Sequence, residues 1–181
     1  MFARTKRLTL RPGWAEDAPE LARAVAHEDV ARMLSRVPWP YEVCDAEAFL
    51  ATPQMRTEPR LLILEHLDGR TRLVGCIGLH RTGGEHELGY WLTPDAWGRG
   101  IATEAGHAVV AMARDALGLR TLHARHFLDN PASAGVLRKL GFRPTGLLNT
   151  MHSRARESAS PCATHALDLT ETDRDPALMA A

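Results

Sequence analysis

The feature that most constrains this chain is a strand that runs through a glycine-rich turn directly into a long helix. Glu85 to Leu92 alternates, so Leu88, Tyr90 and Leu92 share one face while Glu87, Gly89 and Trp91 share the other. After Pro94 comes Trp97-Gly98-Arg99-Gly100-Ile101-Ala102. Ile101, Ala105, Ala108, Val109, Met112 and Ala116 then recur at helical spacing until Gly118 stops the pattern. A helix N-terminus presents unpaired N–H groups and a positive dipole end, which together bind phosphate. Gly98 and Gly100 allow close approach of the backbone, and Arg99 adds charge. A tight turn that simply needs glycine at positive φ explains the spacing about equally well. It is not a dinucleotide fingerprint, because the third glycine position is Thr103. Nor is it a Walker loop, since no Gly-Lys-Ser/Thr follows.

The flanking sequence supplies the rest of a mixed sheet. Leu8-Thr9-Leu10 reads as a first strand ended by Pro12-Gly13. Asp17-Ala18-Pro19-Glu20 reads as a capping box, with Asp17 as N-cap and Glu20 reaching back, opening a helix that turns Leu21, Ala24 and Val25 inward. Helical stretches follow over roughly Asp29 to Leu34 and from Asp45, carrying Ala48, Phe49 and Leu50. Pro38-Trp39-Pro40-Tyr41 between them cannot be helical. Arg60 to Leu67 and Leu73 to Leu79, joined through Asp68-Gly69, form a hairpin. Thr121 to Leu128 is a strand, Asn130-Pro131 starts a helix bearing Val136, Leu137 and Leu140, and Gly141 ends it. Two closing strands run from Phe142 and over Cys162 to Leu169. The expectation is one domain over 1–169 with a frayed tail over 170–181.

Composition excludes several classes. The 181 residues carry 22 basic and 22 acidic side chains, so no electrostatic nucleic-acid binder is expected. No apolar run approaches the roughly 18 residues of a membrane span, and Met1 to Arg11 lacks the apolar core of a signal peptide. Cys44, Cys76 and Cys162 are odd in number and widely spaced, which argues against a disulfide framework and for a reducing cytoplasm. Nine histidines invite a metal reading. However, His123 and His126 point to opposite faces of one strand, and no Cys/His set has zinc-ligand spacing, so no metal is expected.

A second constellation, Asp129-Asn130-Pro131-Ala132-Ser133, sits at another strand-to-helix junction and ends in Leu137-Arg138-Lys139-Leu140-Gly141-Phe142. Alone, capping explains both Asn130 and Ser133. In order with Leu88-Gly89-Tyr90-Trp91-Leu92-Thr93-Pro94 and the glycine turn, it resembles the GNAT superfamily of acetyltransferases. More narrowly, it resembles the RimJ/RimL-like branch of ribosomal-protein N-terminal acetyltransferases. Arg7-Leu8-Thr9-Leu10-Arg11-Pro12, followed by Glu16-Asp17-Ala18, fits that branch as well.

The resemblance implies an α+β GNAT fold. Its central, mostly antiparallel twisted sheet has about seven strands flanked by helices and splays into a V between the fourth and fifth. It implies acetyl-CoA as cosubstrate, held at Trp97, Gly98, Arg99, Gly100, Ile101, Ala102 and Thr103 around the pyrophosphate. Trp91, Leu92 and Thr93 pair with the pantetheine arm, Asn130 lies near the thioester end, and Ser133 lies near the sulfur. Trp97 stands where many relatives have Gln or Arg. Leu137 stands where many carry a tyrosine that protonates the departing thiolate, which leaves Ser133 as the replacement candidate.

The implied reaction is direct attack of a neutral primary amine on the acetyl carbonyl. Glu87, on the strand that meets the cofactor, is the candidate base, and His80 or His126 is a less favoured alternative. Trp39 and Tyr41 are candidates for the acceptor pocket, although anchoring a proline-rich loop explains them at least as well. A protein or peptide N-terminus is the preferred acceptor. A small-molecule amine acetyltransferase and a non-catalytic acyl-CoA-binding module remain as alternatives, and homodimerisation is an expectation from relatives.

Overall fold

The computed structural model describes residues 1–67 and 69–170. Asp68 of the hairpin turn and residues 171–181 of the expected tail lie outside the described residues. In chain order come β1 (Ala3–Arg4), β2 (Leu8–Arg11), α1 (Ala18–Val25), α2 (Glu28–Ala31), α3 (Val43–Ala51), β3 (Arg60–Leu67), β4 (Arg70–Thr82) and β5 (Glu85–Leu92). They are followed by α4 (Ile101–Asp115), β6 (Thr121–Phe127), α5 (Pro131–Lys139), β7 (Arg143–Met151) and β8 (Ser160–Asp168). Among the described residues the strands form one sheet in the order β1-β2-β3-β4-β5-β6-β8-β7.

The sheet has eight strands rather than about seven, because Ala3–Arg4 adds a short edge against β2. The break therefore falls between the fifth and sixth strands. β4 and β5 pair along their length, from Gly75↔Leu92 to Thr82↔Glu85. β5 and β6 run parallel and share a single register pair, Glu87↔His123, so the two halves of the sheet part beyond it.

Alternation along the strands divides the core in two. Leu88, Leu92 and Tyr90 pack with Ile101, Ala105 and Val109 of α4 and with Leu137 of α5. On the opposite face, Cys76 and Trp91 pack with Leu21 and Ala22 of α1 and Ala46 of α3. The β5 residues thus divide between the faces as their alternation predicts.

Several local expectations are corrected. Asp17 does not cap α1 with its side chain. Its carboxylate instead accepts two hydrogen bonds from Arg11 at 2.7 Å and one from the Trp14 amide. A guanidinium fork is a stronger partner for a carboxylate than helix amides are. Glu20 reaches across to the Leu73 amide of β4 at 3.0 Å instead of back to its own helix. The helix expected over Asp29 to Leu34 is the shorter α2, and α3 begins two residues before Asp45, whose carboxylate accepts from the Glu42 amide. All three cysteines are free. Among the described residues no helix is long and apolar enough to cross a membrane.

Candidate functional site

A cleft of about 760 Å³ occupies the parted region of the sheet. One end is the turn before α4, lined by Trp97, Gly98, Gly100, Ile101, Ala102 and Thr103. Gly98 (φ 70°) and Gly100 (φ 77°) hold left-handed conformations that side chains disfavour, which is why this turn needs glycine. Gly100 is the N-cap of α4 and supplies no capping side chain, so the first-turn amides of this 15-residue helix keep their donors for another partner. That donor set fits a pyrophosphate.

Arg7 braces the turn. Its Nε and Nη2 each lie 2.7 Å from Glu104 Oε2 in the first turn of α4, and its Nη1 donates to the Arg99 carbonyl at 3.0 Å. Thr5 Oγ1 and the Arg7 amide also donate to Glu104. Burial pushes the Glu104 pKa upward, but these bonds outweigh it and hold the carboxyl below the usual range. The brace also neutralises a carboxylate that would repel phosphate.

The Arg99 side chain does not supply the expected charge to the cleft. Its guanidinium pairs with Glu65, which is 1% exposed and is also met by Arg72. Burying that carboxylate demands a cationic partner, and Arg99 meets the demand. Thr93 lines a separate depression with Asp95 and Arg72 rather than the cleft. Trp91 and Leu92 line the cleft, and the Trp97 indole Nε1 donates to the Leu92 carbonyl at 3.0 Å.

Midway along the cleft lie Asn130 and Ser133. Asn130 Oδ1 accepts from the Ser133 amide at 3.1 Å, so the residue does cap α5, and its side-chain NH2 takes no part in that bond. Ser133 Oγ lies 2.8 Å from the Tyr90 hydroxyl. Burial pushes the Tyr90 phenol up to about 12, against a smaller lowering from the Ser133 hydrogen bond. Leu137, at the position where a tyrosine was sought, is buried apolar core, and Tyr90 brings a phenol to Ser133 from the sheet instead.

At the far end Glu87 is buried. Its Oε2 accepts from Arg125 Nε at 2.9 Å and lies 2.8 Å from Nη2 of the same residue. Its Oε1 lies 3.8 Å from His80 Nε2. Burial holds the His80 pKa below its ordinary value. Glu87 opposes that shift, and the charges of Arg36 and Arg125 add to it.

The remaining rim of the cleft is Asp29, Val30 and residues 33–37, fastened from behind by Arg156. That guanidinium lies 4.1 Å from the Phe127 ring centroid, donates to Asp129 at 2.9 and 3.0 Å, and donates to the Arg32 carbonyl at 2.6 Å. Ser153 Oγ adds a bond to the Leu34 carbonyl at 2.7 Å. Trp39 and Tyr41, expected here, lie off the cleft lining. Pro38 and Pro40 turn the chain away after Val37, and Tyr41 packs its ring on the α1–α3 core.

The histidines are dispersed. His123 Nε2 lies 3.4 Å from Glu85 Oε1, whereas His126 packs against His165 on the other face, rings tilted at 43° with centroids 5.1 Å apart. Among the described residues no group of three or more His, Cys, Asp or Glu is placed to hold a metal.

Residue patterns in the sequence assign no site role to Tyr90, Arg7, Glu104, Arg125 or Arg156. Tyr90 carried one local signal, its place on the strand beside the glycine turn. The others form contacts far apart in sequence, which local patterns do not report.

Residues 7–143 match the family model described as an acetyltransferase (GNAT) domain. The chain is 32% identical over 150 residues to the uncharacterized N-acetyltransferase YoaA of Bacillus subtilis, covering 80% of this chain and 84% of that one. The fold is shared with a GNAT-family acetyltransferase from Bacillus anthracis (TM-score 0.78, 22% identity, 94% of this chain and 100% of that chain). It is shared too with RimL, a ribosomal L7/L12 α-N-protein acetyltransferase solved with coenzyme A (TM-score 0.75, 17% identity, 93% and 98%). The match spans the glycine turn, the helix behind it and the parted strands, and the chain belongs to the GNAT family as an acetyl-CoA-dependent N-acetyltransferase.

Proposed function

We propose that this enzyme acetylates the α-amine of a protein or peptide N-terminus. The observation that carries the reading is the charge of the acceptor end. Of the three acidic residues lining the cleft, Glu87 and Asp129 are tied to Arg125 and Arg156, which leaves Asp29 on the rim against Arg36, Arg60 and Lys139, which also line the cleft. A wall of this kind does not attract polyamines or aminoglycosides, which need an acidic pocket. It accommodates a single amine. The RimJ/RimL-like character of the sequence motifs supports the same class.

An α-amine titrates near ~8 and a lysine amine near ~10.4, so an N-terminal acceptor asks little of a base. Glu87 collects the ammonium proton through Oε1, the oxygen that Arg125 leaves on the side of His80. Bound acetyl-CoA supplies the activated acyl group. The amides of Gly100, Ile101, Ala102 and Thr103 hold its pyrophosphate, with the Asn130 side-chain NH2 further along the cleft. Ser133, backed by the Tyr90 phenol, donates a hydrogen bond toward the thiol end.

The test is thiol release from acetyl-CoA by the purified chain, with N-terminal peptides, polyamines and aminoglycosides as acceptors. Peptide-dependent release is expected. Release with polyamines or aminoglycosides alone overturns the proposal.

A further inference from the structure

Among the described residues Arg60 is a cation without a paired anion. It opens β3 opposite Gly78 of β4, which in turn pairs with Gly89 of β5, so the three residues form one row across the cleft floor. The next row on this face is His80 and Glu87, about 7 Å further along the strands, and Glu87 stands two strands across from Arg60, a further ~10 Å sideways in the backbone. The floor between is bare backbone. Gly78 cannot be otherwise, since a Cβ there sits 2.5 Å from the Pro59 carbonyl oxygen.

The Arg60 guanidinium lies 4.7 Å from the Phe49 ring centroid, and its Nη2 donates to the Thr52 carbonyl. Among the described residues no carboxylate pairs with it. Burial pulls its pKa down, and the only group opposing that is the Cys76 thiol, itself pushed up to about 12 by burial. Every other arginine lining this cleft wall is either tied to an acid, as Arg125 is to Glu87, or exposed on the rim, as Arg36 is. A half-desolvated guanidinium stacked on an aromatic ring, with part of its fork unused, is a seat for a planar oxyanion.

We infer that the acceptor carries a carboxylate besides its reacting amine, seated on Arg60 while the amine faces Glu87. Arg36, at the rim, adds positive charge along the approach. This rests on the α-amine reading and narrows it. Two acceptors share the chemistry: a peptide whose first or second residue is Asp or Glu, and a free acidic amino acid.

The experiment compares kcat/KM for paired acceptors, each with its neutral isostere: tetrapeptide amides beginning Ser-Asp and Ser-Asn, others beginning Asp-Ala and Asn-Ala, and free glutamate with glutamine. An acid preference of about tenfold or more is expected in at least one pair, and that pair identifies the source of the carboxylate. In Arg60→Gln that ratio falls toward one. Arg60→Lys restores part of it. Because the ratio is internal to each variant, partial misfolding does not mimic the result. Equal rates within every pair, or a preference that survives Arg60→Gln, overturns this inference while leaving the α-amine reading intact. If all these acceptors are inert and only polyamines or aminoglycosides react, the α-amine reading fails and takes this inference with it.

Discussion

The Tyr90 hydroxyl of β5 and the Ser133 hydroxyl of α5 meet at 2.8 Å, on the side of the cleft where Asn130 also sits. The phenol stays protonated throughout the working range, because burial sets its pKa at about 12. It thus remains a donor, either to Ser133 Oγ or to the Ser133 carbonyl at 3.3 Å. The pair acts as one hydrogen-bonding unit. Ser133→Ala and Tyr90→Phe are each expected to lower kcat by about tenfold to a hundredfold while changing acetyl-CoA affinity far less. The double variant should be no slower than the slower single one. Steady-state rates with calorimetric cofactor binding check this, and multiplicative losses would show that the two hydroxyls act separately.

Glu87→Gln should cost most at low pH. Below the amine pKa of about 8 the acceptor arrives protonated and needs a proton acceptor, whereas above it the amine is already neutral. A loss of about a hundredfold at pH 6, shrinking by pH 9, is expected in kcat/KM. A loss uniform across pH would assign Glu87 a structural role through Arg125.

The brace at the glycine turn predicts a coupled effect. Arg7→Met removes two contacts to Glu104 and one to the Arg99 carbonyl, so acetyl-CoA affinity should fall about tenfold. Stability carries its own pH signature. The folded-state pKa of Glu104 is depressed, so its contribution is present above the unfolded value, about 4.3, and is lost as pH falls through the folded one. The Tm gap between the native chain and Glu104→Gln should therefore be largest near neutral pH and close below pH ~4.

Arg156 holds the rim of residues 33–37 to Asp129, in the turn after β6. Arg156→Met should destabilise the chain by about 1–3 kcal/mol, lowering Tm by several degrees. Amide exchange over residues 31–37 should accelerate more than in α4. Exchange that rises evenly across the chain would mean that Arg156 contributes only to global stability.

How much of this was legible in advance follows contact range. The β3–β4 hairpin, the alternation of β5 and the glycine turn are local patterns, and each stands where its spacing puts it. Asp17 and Glu20 also formed a plausible local pattern, yet Arg11 and the Leu73 amide were better partners, and only the folded chain brings Leu73 within reach. The same holds at the site. Arg99 looked like a phosphate ligand until the buried charge of Glu65, 34 residues earlier, claimed it. Tyr90 read as core because its ring is core, and only its hydroxyl belongs to the site. Trp39 and Tyr41 belong to an aromatic loop between helices that offered itself as a lid, but Tyr41 anchors that proline-rich loop on the core and neither residue lines the cleft.

The lone Glu87↔His123 pair has a consequence for how the molecule comes apart. Most sheets keep their unpaired edges at the periphery, where solvent satisfies them. This one also keeps a free margin in its interior, along β5 beyond that pair. The sheet is in this sense a garment with its zip half open. Thermal unfolding is expected to start at that margin, and whatever bridges it strengthens both flanks together, through mass action on the whole native state as well as through local contact.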